Sequence, residues 1–313
     1  MTPTGGRAAA TAGSGVPSST TDTPSGGTWR HTTAVAGRGT GGLAASLAGV
    51  DALVPWCSFR LELPAGVALA DASAAVDGGG WLRCSDVLDD AGAAGRPPFF
   101  VRWQHALGQR MARQYGAAPA VTAAGYVMGW YCGVFGQLGG MLFHTARRVP
   151  RLDPERVAFR LDPVHCRPAE VALLDPRFRC LPIDRDADGG TALPDEPSLA
   201  AALRAEVARH GARFVTAYRG ASRFGRRTLW GAVTDALDRG VWHAARLRGD
   251  DESGAADAAL VLPCLLAPFT SGSTIRAERD GTGQVRWTRT RQSCCFHYKL
   301  PDAGVCSTCP RWP

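Results

Sequence analysis

The chain has 313 residues, of which 45% are hydrophobic, and a mean hydropathy of −0.10, so it holds enough apolar material for one large or two modest domains. These values exclude a short peptide and a fibre. The formal net charge of +7 is carried almost entirely by arginine, since Lys299 is the only lysine. Because this skew accompanies abundant alanine and glycine, we attribute it to base composition and predict no nucleic-acid partner.

The first residues are rich in glycine, serine and threonine and lack aliphatic periodicity, so we predict a disordered tail over residues 1–42. The run from Gly37 to Gly42 fits the G-x-G-x-x-G pattern of dinucleotide-binding loops. The residues before it form a poor strand, however, and no parallel α/β alternation follows. We therefore expect no nucleotide site in this run.

Helical and extended patterns follow the tail. The apolar spacing from Leu43 predicts a helix that ends before Pro55, and alternation over residues 59–63 predicts a short strand. From Trp81 the pattern turns helical. The apolar face of the predicted helix consists of Phe100, Trp103, Leu107 and Met111.

Residues 121–143 carry no charge and are long enough to cross a bilayer. Six glycines, together with Thr122 and Gln137, lower the hydrophobicity of this run below that of a helix that faces lipid. No second such run exists in the sequence. We therefore predict a buried helix rather than a membrane span.

The second half of the chain predicts a small sheet, two helices and a hairpin. Period-two patterns between residues 157 and 183 predict antiparallel strands, and helical patterns follow Pro197 and Leu229. Residues 273–279 and 284–289 predict a β-hairpin that leads directly into Cys294. The fold class is therefore predicted as α+β and mainly helical, with a small antiparallel sheet and a C-terminal hairpin that carries an iron–sulfur motif.

An acidic segment resembles the start of a calcium-binding EF-hand loop. Asp184, Asp186 and Asp188 have the required spacing, and Asp195 stands where a glutamate belongs. Strand-like flanks and a proline at position 194 instead favour a solvated acidic turn, so we predict no calcium site.

Ten cysteines are too few for a disulfide scaffold in a chain of this length, and no apolar leader follows Met1, so we expect a reducing cytosol. Four of them form the pattern C-C-x10-C-x2-C at Cys294, Cys295, Cys306 and Cys309. Four thiolates within a short segment suit a soft metal centre, either iron–sulfur or zinc. Adjacent side chains on an extended backbone point to opposite faces, which is awkward for one small ion and easier for a two-iron cluster.

These residues carry a resemblance to a known family. The run from Arg291 to Pro301 with its vicinal cysteines, followed by Cys306-Ser307-Thr308-Cys309-Pro310, resembles the C-terminal signature of the FhuF-type ferric-siderophore reductases. Weaker similarity extends to residues 119–134 and to the Leu-Trp-Gly run within residues 227–231. The resemblance implies that Cys294, Cys295, Cys306 and Cys309 ligate a [2Fe–2S] cluster.

The resemblance also implies an activity. The protein would be a ferric-siderophore reductase, an oxidoreductase acting on metal ions, that reduces siderophore-bound iron to Fe(II) for release in the cytoplasm. We accordingly divide the chain into the tail 1–42, a reductase-like domain 43–272 and a [2Fe–2S]-binding segment 273–313. Peripheral contact with the inner face of the membrane is compatible with this location.

No flavin or nicotinamide site is evident, so electrons would come from a ferredoxin or flavodoxin-type donor protein. Four basic side chains near the cysteines are candidates for docking that donor or for tuning the cluster: Arg286, Arg289, Arg291 and Lys299. Two alternatives stay open: a structural zinc site, or a cluster-bearing sensor or scaffold protein without reductase activity.

Overall fold

The structure is a computed structural model that describes residues 41–73, 76, 79–184 and 188–311. The predicted tail, up to residue 40, and most of the glycine run from Gly37 therefore lie outside the described residues. About 48% of the structure is helical, and small sheets accompany the helices. This composition confirms the predicted α+β, mainly helical class.

The elements are numbered in chain order. Helices α1 to α8 span Leu43–Asp51, Cys84–Asp89, Phe99–Tyr115, Ala120–Cys132, Leu138–Ala146, Glu196–Ala221, Arg226–Leu247 and Asp251–Val261. Strands β1 to β9 span Ser58–Leu61, Trp81–Arg83, Val149–Pro150, Val157–Leu161, Pro168–Leu173, Phe178–Cys180, Gly190–Ala192, Arg276–Arg279 and Val285–Thr288. A π-helical segment, Gly133–Gln137, joins α4 to α5.

The predicted apolar face of α3 forms part of the main core. Phe100, Trp103, Leu107 and Met111 are all buried. The Trp103 ring stacks on Phe159 of β4 with 5.9 Å between centroids, and its Nε1–H donates to the Cys166 carbonyl at 2.7 Å. The core therefore lies between the helices and one face of the sheet.

The main sheet has four strands in the order β1-β5-β4-β2. Strands β4 and β5 pair antiparallel, as predicted, and β2 also pairs antiparallel with β4, whereas the edge strand β1 joins β5 in parallel. The predicted third strand forms β6, which belongs to a second sheet of order β3-β6-β7. The prediction that a helix begins at Trp81 is wrong, because Trp81 opens β2 and lies opposite Arg160 of β4. Pairing with a neighbouring strand overrides the local pattern there, and the helix starts at Cys84.

The uncharged run from residue 121 to 143 forms α4, the π-helical segment and α5, whose side chains are mostly buried. This confirms the predicted buried helix. A Cβ atom at Gly140 would lie 2.7 Å from the backbone nitrogen of Val241, so the glycine lets α5 and α7 approach closely. Across the described residues, no helix is both long and apolar enough to cross a membrane.

Helices α6 and α7 match the two predicted from Pro197 and Leu229, while α8 was not predicted. Helix α8 is rich in alanine and has no marked apolar face, so periodicity gives little signal for it. The Asp250 side chain accepts a hydrogen bond from the Ser253 N–H at 3.1 Å. This N-cap is the local feature that could have revealed the helix.

The two ends of the acidic EF-hand-like segment have structural roles. Asp184 pairs with the buried Arg148, with 2.6 Å between Oδ2 and Nε. Asp195 caps α6 by accepting from the Ser198 N–H at 2.8 Å. Residues 185–187 between them lie outside the described residues.

Strands β8 and β9 form the predicted C-terminal hairpin. Asp280 closes the turn, because its Oδ1 accepts from the Thr282 N–H at 2.9 Å and from the Gln284 N–H at 3.1 Å. All of β8 is exposed, and β9 becomes partly buried only at Trp287 and Thr288. The hairpin thus projects from the body, and the chain returns to it just before the cysteines.

Candidate metal centre

The segment after the hairpin is fastened to α7 by Asp235. Its carboxylate accepts from the Gln292 N–H at 2.8 Å, from the Ser293 N–H at 2.9 Å and from the Ser293 hydroxyl at 2.6 Å. The same carboxylate lies 3.3 Å from Nη2 of Arg289 and 3.8 Å from Nε of Arg291. One buried side chain therefore contacts four of the five residues that precede Cys294.

Helix α4 holds the other side of the segment. The Thr122 hydroxyl donates to the Phe296 carbonyl at 3.1 Å, and the Tyr126 hydroxyl lies 2.8 Å from Nδ1 of His297. A Cβ atom at Gly125 would lie 2.8 Å from the carbonyl oxygen of Cys295, so only glycine permits this contact. The backbone beside Cys295 is therefore in direct contact with the helix.

Helix α7 approaches the same segment equally closely. A Cβ atom at Gly231 would lie 2.9 Å from the carbonyl oxygen of Gln292. The Phe224 ring, just before α7, stacks on Phe296 with 5.6 Å between centroids. Phe296 itself has a positive φ of 57°, which turns the chain sharply after the vicinal cysteines. Helix α4 and the start of α7 thus both contact the cysteine segment.

Electrostatic interactions link the four C-terminal thiols, since Cys294 and Cys306 each interact with Cys295 and Cys309. Cys294 and Cys309 are buried, whereas Cys295 and Cys306 are partly exposed. The Cys309 N–H donates to the Cys306 carbonyl at 3.0 Å, which forms the tight C-x-x-C turn. The Arg291 N–H donates to the Thr308 carbonyl at 3.1 Å and so joins the two halves of the motif.

The thiols shift one another's pKa values, and the charge of Arg291 acts on both Cys294 and Cys306. Burial, assisted by the neighbouring Cys295 and Cys309, raises the pKa of the Cys306 thiol to about 11, and the Arg291 charge opposes this rise. Burial also raises the pKa of Cys294, against the Phe296 N–H that donates to its sulfur at 3.3 Å. A metal centre would therefore have to displace protons from these thiols.

Arg291 lies beside the thiols. Burial by itself would lower its pKa, but Asp235, Cys295 and Cys306 act in the opposite direction and raise it overall. Arg291 therefore stays positively charged next to the two partly exposed cysteines. Such a charge stabilises thiolates and any negatively charged group bound to them.

The donor set suits an iron–sulfur cluster. In the described part of the chain, no three Cys, His, Asp or Glu side chains are placed to hold one metal ion. A [2Fe–2S] cluster with four cysteine ligands does not need such convergence, because each iron takes only two protein sulfurs. Four neighbouring thiols, an N–H directed at a sulfur and an adjacent arginine fit that cofactor.

The basic side chains that the sequence singled out have different environments. Arg286 and Lys299 are exposed, and Arg291 lies against the thiols. Arg289 is buried and lies 3.3 Å from both Asp235 and Asp238 of α7. Its charge is neutralised in this structural contact, so it has no surface with which to dock a donor.

Sequence reasoning missed the residues that position the cysteines. Asp235 and Asp238 lie in an ordinary amphipathic pattern on α7, and Gly125 lies among the many glycines of the uncharged run. Only the resemblance proposed for residues 227–231 in the sequence analysis pointed to this part of α7. Asp235 and Asp238 belong to no recognisable local sequence motif.

We expect Asp235→Asn to lower the free energy of unfolding by about 3 kcal/mol, because Arg289 would be left buried without its full counter-charge. Urea unfolding of the purified protein measures the change. Asp280→Asn is the matched control, since Asp280 also accepts several hydrogen bonds but lies in an exposed turn. We expect the control to cost less than about 1 kcal/mol. Equal losses would contradict the anchoring role of Asp235.

One family of known proteins has a model that matches the cysteine segment. Residues 291–311 match the model of the FhuF 2Fe-2S C-terminal domain, and this stretch contains all four clustered cysteines. No curated protein matches the chain. The predicted 2Fe–2S cofactor is therefore confirmed, and residues 291–311 are similar to the FhuF 2Fe-2S C-terminal domain.

Proposed function

We propose that the protein is a [2Fe–2S] ferric-siderophore reductase that converts siderophore-bound Fe(III) to Fe(II), with Cys294, Cys295, Cys306 and Cys309 as the cluster ligands. The observation that carries the proposal is the match of residues 291–311 to the FhuF 2Fe-2S C-terminal domain. A hard oxygen chelate holds Fe(II) less tightly than Fe(III), so reduction would release the metal. We place this release in the cytoplasm, with peripheral contact to the inner face of the membrane compatible with it.

Exposure of the cysteine segment supports the redox role. When bound, a [2Fe–2S] cluster supplies one-electron exchange with a donor and with ferric iron. Cys294 and Cys309 are buried against the protein, whereas Cys295 and Cys306 are partly exposed to solvent. The neighbouring Lys299, Gly304 and Val305 are exposed as well. Partners can therefore approach the sulfur side without any opening of the core.

The charges around the segment favour electron transfer from a donor protein to a bound cluster. Arg291 remains positive beside Cys295 and Cys306 and offsets negative charge gained on reduction. The exposed Arg286 and Lys299 give the surface a basic character that suits an acidic donor of the ferredoxin or flavodoxin type. Arg289 contributes indirectly, because it fixes Asp235 and through it the chain before Cys294.

The experiment uses the anaerobically purified holoprotein, reduced with dithionite to one electron per chain and then separated from any remaining dithionite. We expect a ferric hydroxamate siderophore to reoxidise it with one electron per chain, and a ferrous-specific chelator to trap the iron. The visible spectrum follows the protein, and the absorbance of the ferrous chelate follows the product. Protein stripped of iron and treated identically is the control.

Two results would overturn the proposal. Protein that stays reduced in the presence of several ferric siderophores would be a sensor or scaffold. Colourless protein with one zinc per chain would carry a structural metal site.

A further inference from the structure

Three basic side chains share one face of α7, outside the cysteine segment. Arg239, His243 and Arg246 stand four and three residues apart, so they lie along the same side of the helix. Arg246 is already engaged, because its guanidinium lies 4.9 Å from the centre of the Trp242 ring and its Nε lies 3.8 Å from Asp251. The other two side chains are not engaged in this way.

Arg239 is a solvent-accessible cation without a counter-charge. Its side chain is exposed, and it makes no hydrogen bond or ion pair with any residue that the structure describes. Burial nevertheless lowers its pKa to about 10, and the charges of Arg289 and Arg291 add to this effect. The Arg239 guanidinium is therefore open to a ligand from solvent. Asp235, one turn earlier on α7, is already shared by Arg289 and the chain before Cys294.

His243 lines the same face one turn further along. Its ring centre lies 4.9 Å from that of Trp56, and its Nε2 is buried without a hydrogen-bond partner in the described part of the chain. Burial, assisted by Arg239 and Arg246, lowers the pKa of His243 to about 4, so the imidazole is neutral near pH 7. A neutral ring can donate a hydrogen bond through Nε2.

The buried imidazole nitrogen is costly to leave without a hydrogen bond, and the Arg239 guanidinium has no counter-charge. An oxyanion would satisfy both, because carboxylate, phosphate and phenolate oxygens match the planar fork of arginine. Arg239 also lies close enough to Arg291 for their charges to interact, and Arg291 in turn interacts with Cys295 and Cys306. A ligand held at Arg239 would therefore lie near the cysteine segment.

We propose that Arg239 and His243 form a binding site for an oxyanion, and that in the reductase this site holds the anionic oxygen groups of a ferric chelate. The second half of this inference rests on the proposed reductase function. It deepens that function by adding a class of substrate that this site would recognise, besides the neutral hydroxamate chelates: chelates that carry net negative charge on their oxygen donors.

Calorimetric titration of the oxidised holoprotein tests the site without electron transfer. The probes are a ferric tricatecholate chelate, which is anionic, a ferric trihydroxamate chelate, which has a neutral metal core, and iron-free pyrophosphate. We expect the tricatecholate to bind, pyrophosphate to compete with it and added salt to weaken it. Arg239→Gln should weaken tricatecholate binding at least about tenfold and leave trihydroxamate binding unchanged.

Arg248→Gln is the matched control, because Arg248 is also an exposed arginine, at the end of the same helix. Its affinity for the tricatecholate should equal that of the wild type. His243→Phe keeps a ring beside Trp56 and removes the nitrogen, so a smaller loss is expected. Equal binding by the wild type and Arg239→Gln, or a failure of pyrophosphate to compete, would overturn the inference. Reduction of the neutral chelate in that case would leave the reductase proposal intact.

Discussion

Replacing Cys306 with serine is expected to remove the iron and the acid-labile sulfide from the purified protein while its helical content stays unchanged. Wild-type protein should contain roughly two of each per chain, as a [2Fe–2S] cluster requires. A serine hydroxyl does not ionise near neutral pH and is a hard donor, so it cannot replace a soft thiolate. Cys306 is only partly buried, and its loss leaves no large cavity in the core.

The control for this variant is Cys264→Ser. Cys264 is exposed and lies outside the matched segment 291–311. We expect it to retain the iron, the sulfide and the visible spectrum of the wild type. Circular dichroism and metal analysis on the same samples separate loss of cofactor from loss of fold. Iron retained in Cys306→Ser, or lost in Cys264→Ser, would contradict the ligand assignment.

The fold could be predicted from the sequence wherever apolar residues recur with a clear helical or strand period. The apolar face of α3 and the buried run from residue 121 to 143 were predicted because their side chains meet a continuous core. Trp81 was misassigned because its strand has only three residues and depends on pairing with β4. Helix α8 was not predicted because its side chains are mostly small and form no marked apolar face. Short elements of this kind are determined by distant neighbours, which a local pattern does not contain.

The candidate site also contains residues that the sequence predicted and residues that it did not. The four cysteines were found because their spacing is unusual and their chemistry is specific. Asp235 and Gly125 were not found, because each acts through a contact with residues far along the chain. The basic side chains illustrate the limit most clearly. Sequence proximity grouped Arg286, Arg289 and Arg291, and the structure assigns one to the surface, one to a buried ion pair and one to the thiols.

Gly125→Ala is expected to labilise the cofactor although it adds a single methyl group far from any sulfur in the sequence. The new Cβ would lie 2.8 Å from the Cys295 carbonyl oxygen and 3.0 Å from its carbonyl carbon, closer than nonbonded atoms approach. Helix α4 cannot easily move away, because Val127, Met128 and Tyr131 are fully buried in the core. The backbone of the cysteine segment must therefore shift, at a cost of roughly 1–3 kcal/mol.

We expect the variant to release iron to a chelator faster than the wild type, with unchanged helical content by circular dichroism. Gly129→Ala on the same helix is the matched control, since a Cβ there meets no atom within 4 Å. Alanine favours a helix over glycine by about 1 kcal/mol, so the control should be as stable as the wild type or slightly more so. If both variants release iron at the same rate, close contact between α4 and Cys295 does not hold the segment in place. If only Gly125→Ala is labile, helix α4 fixes the backbone position of Cys295 and thereby the geometry of the site.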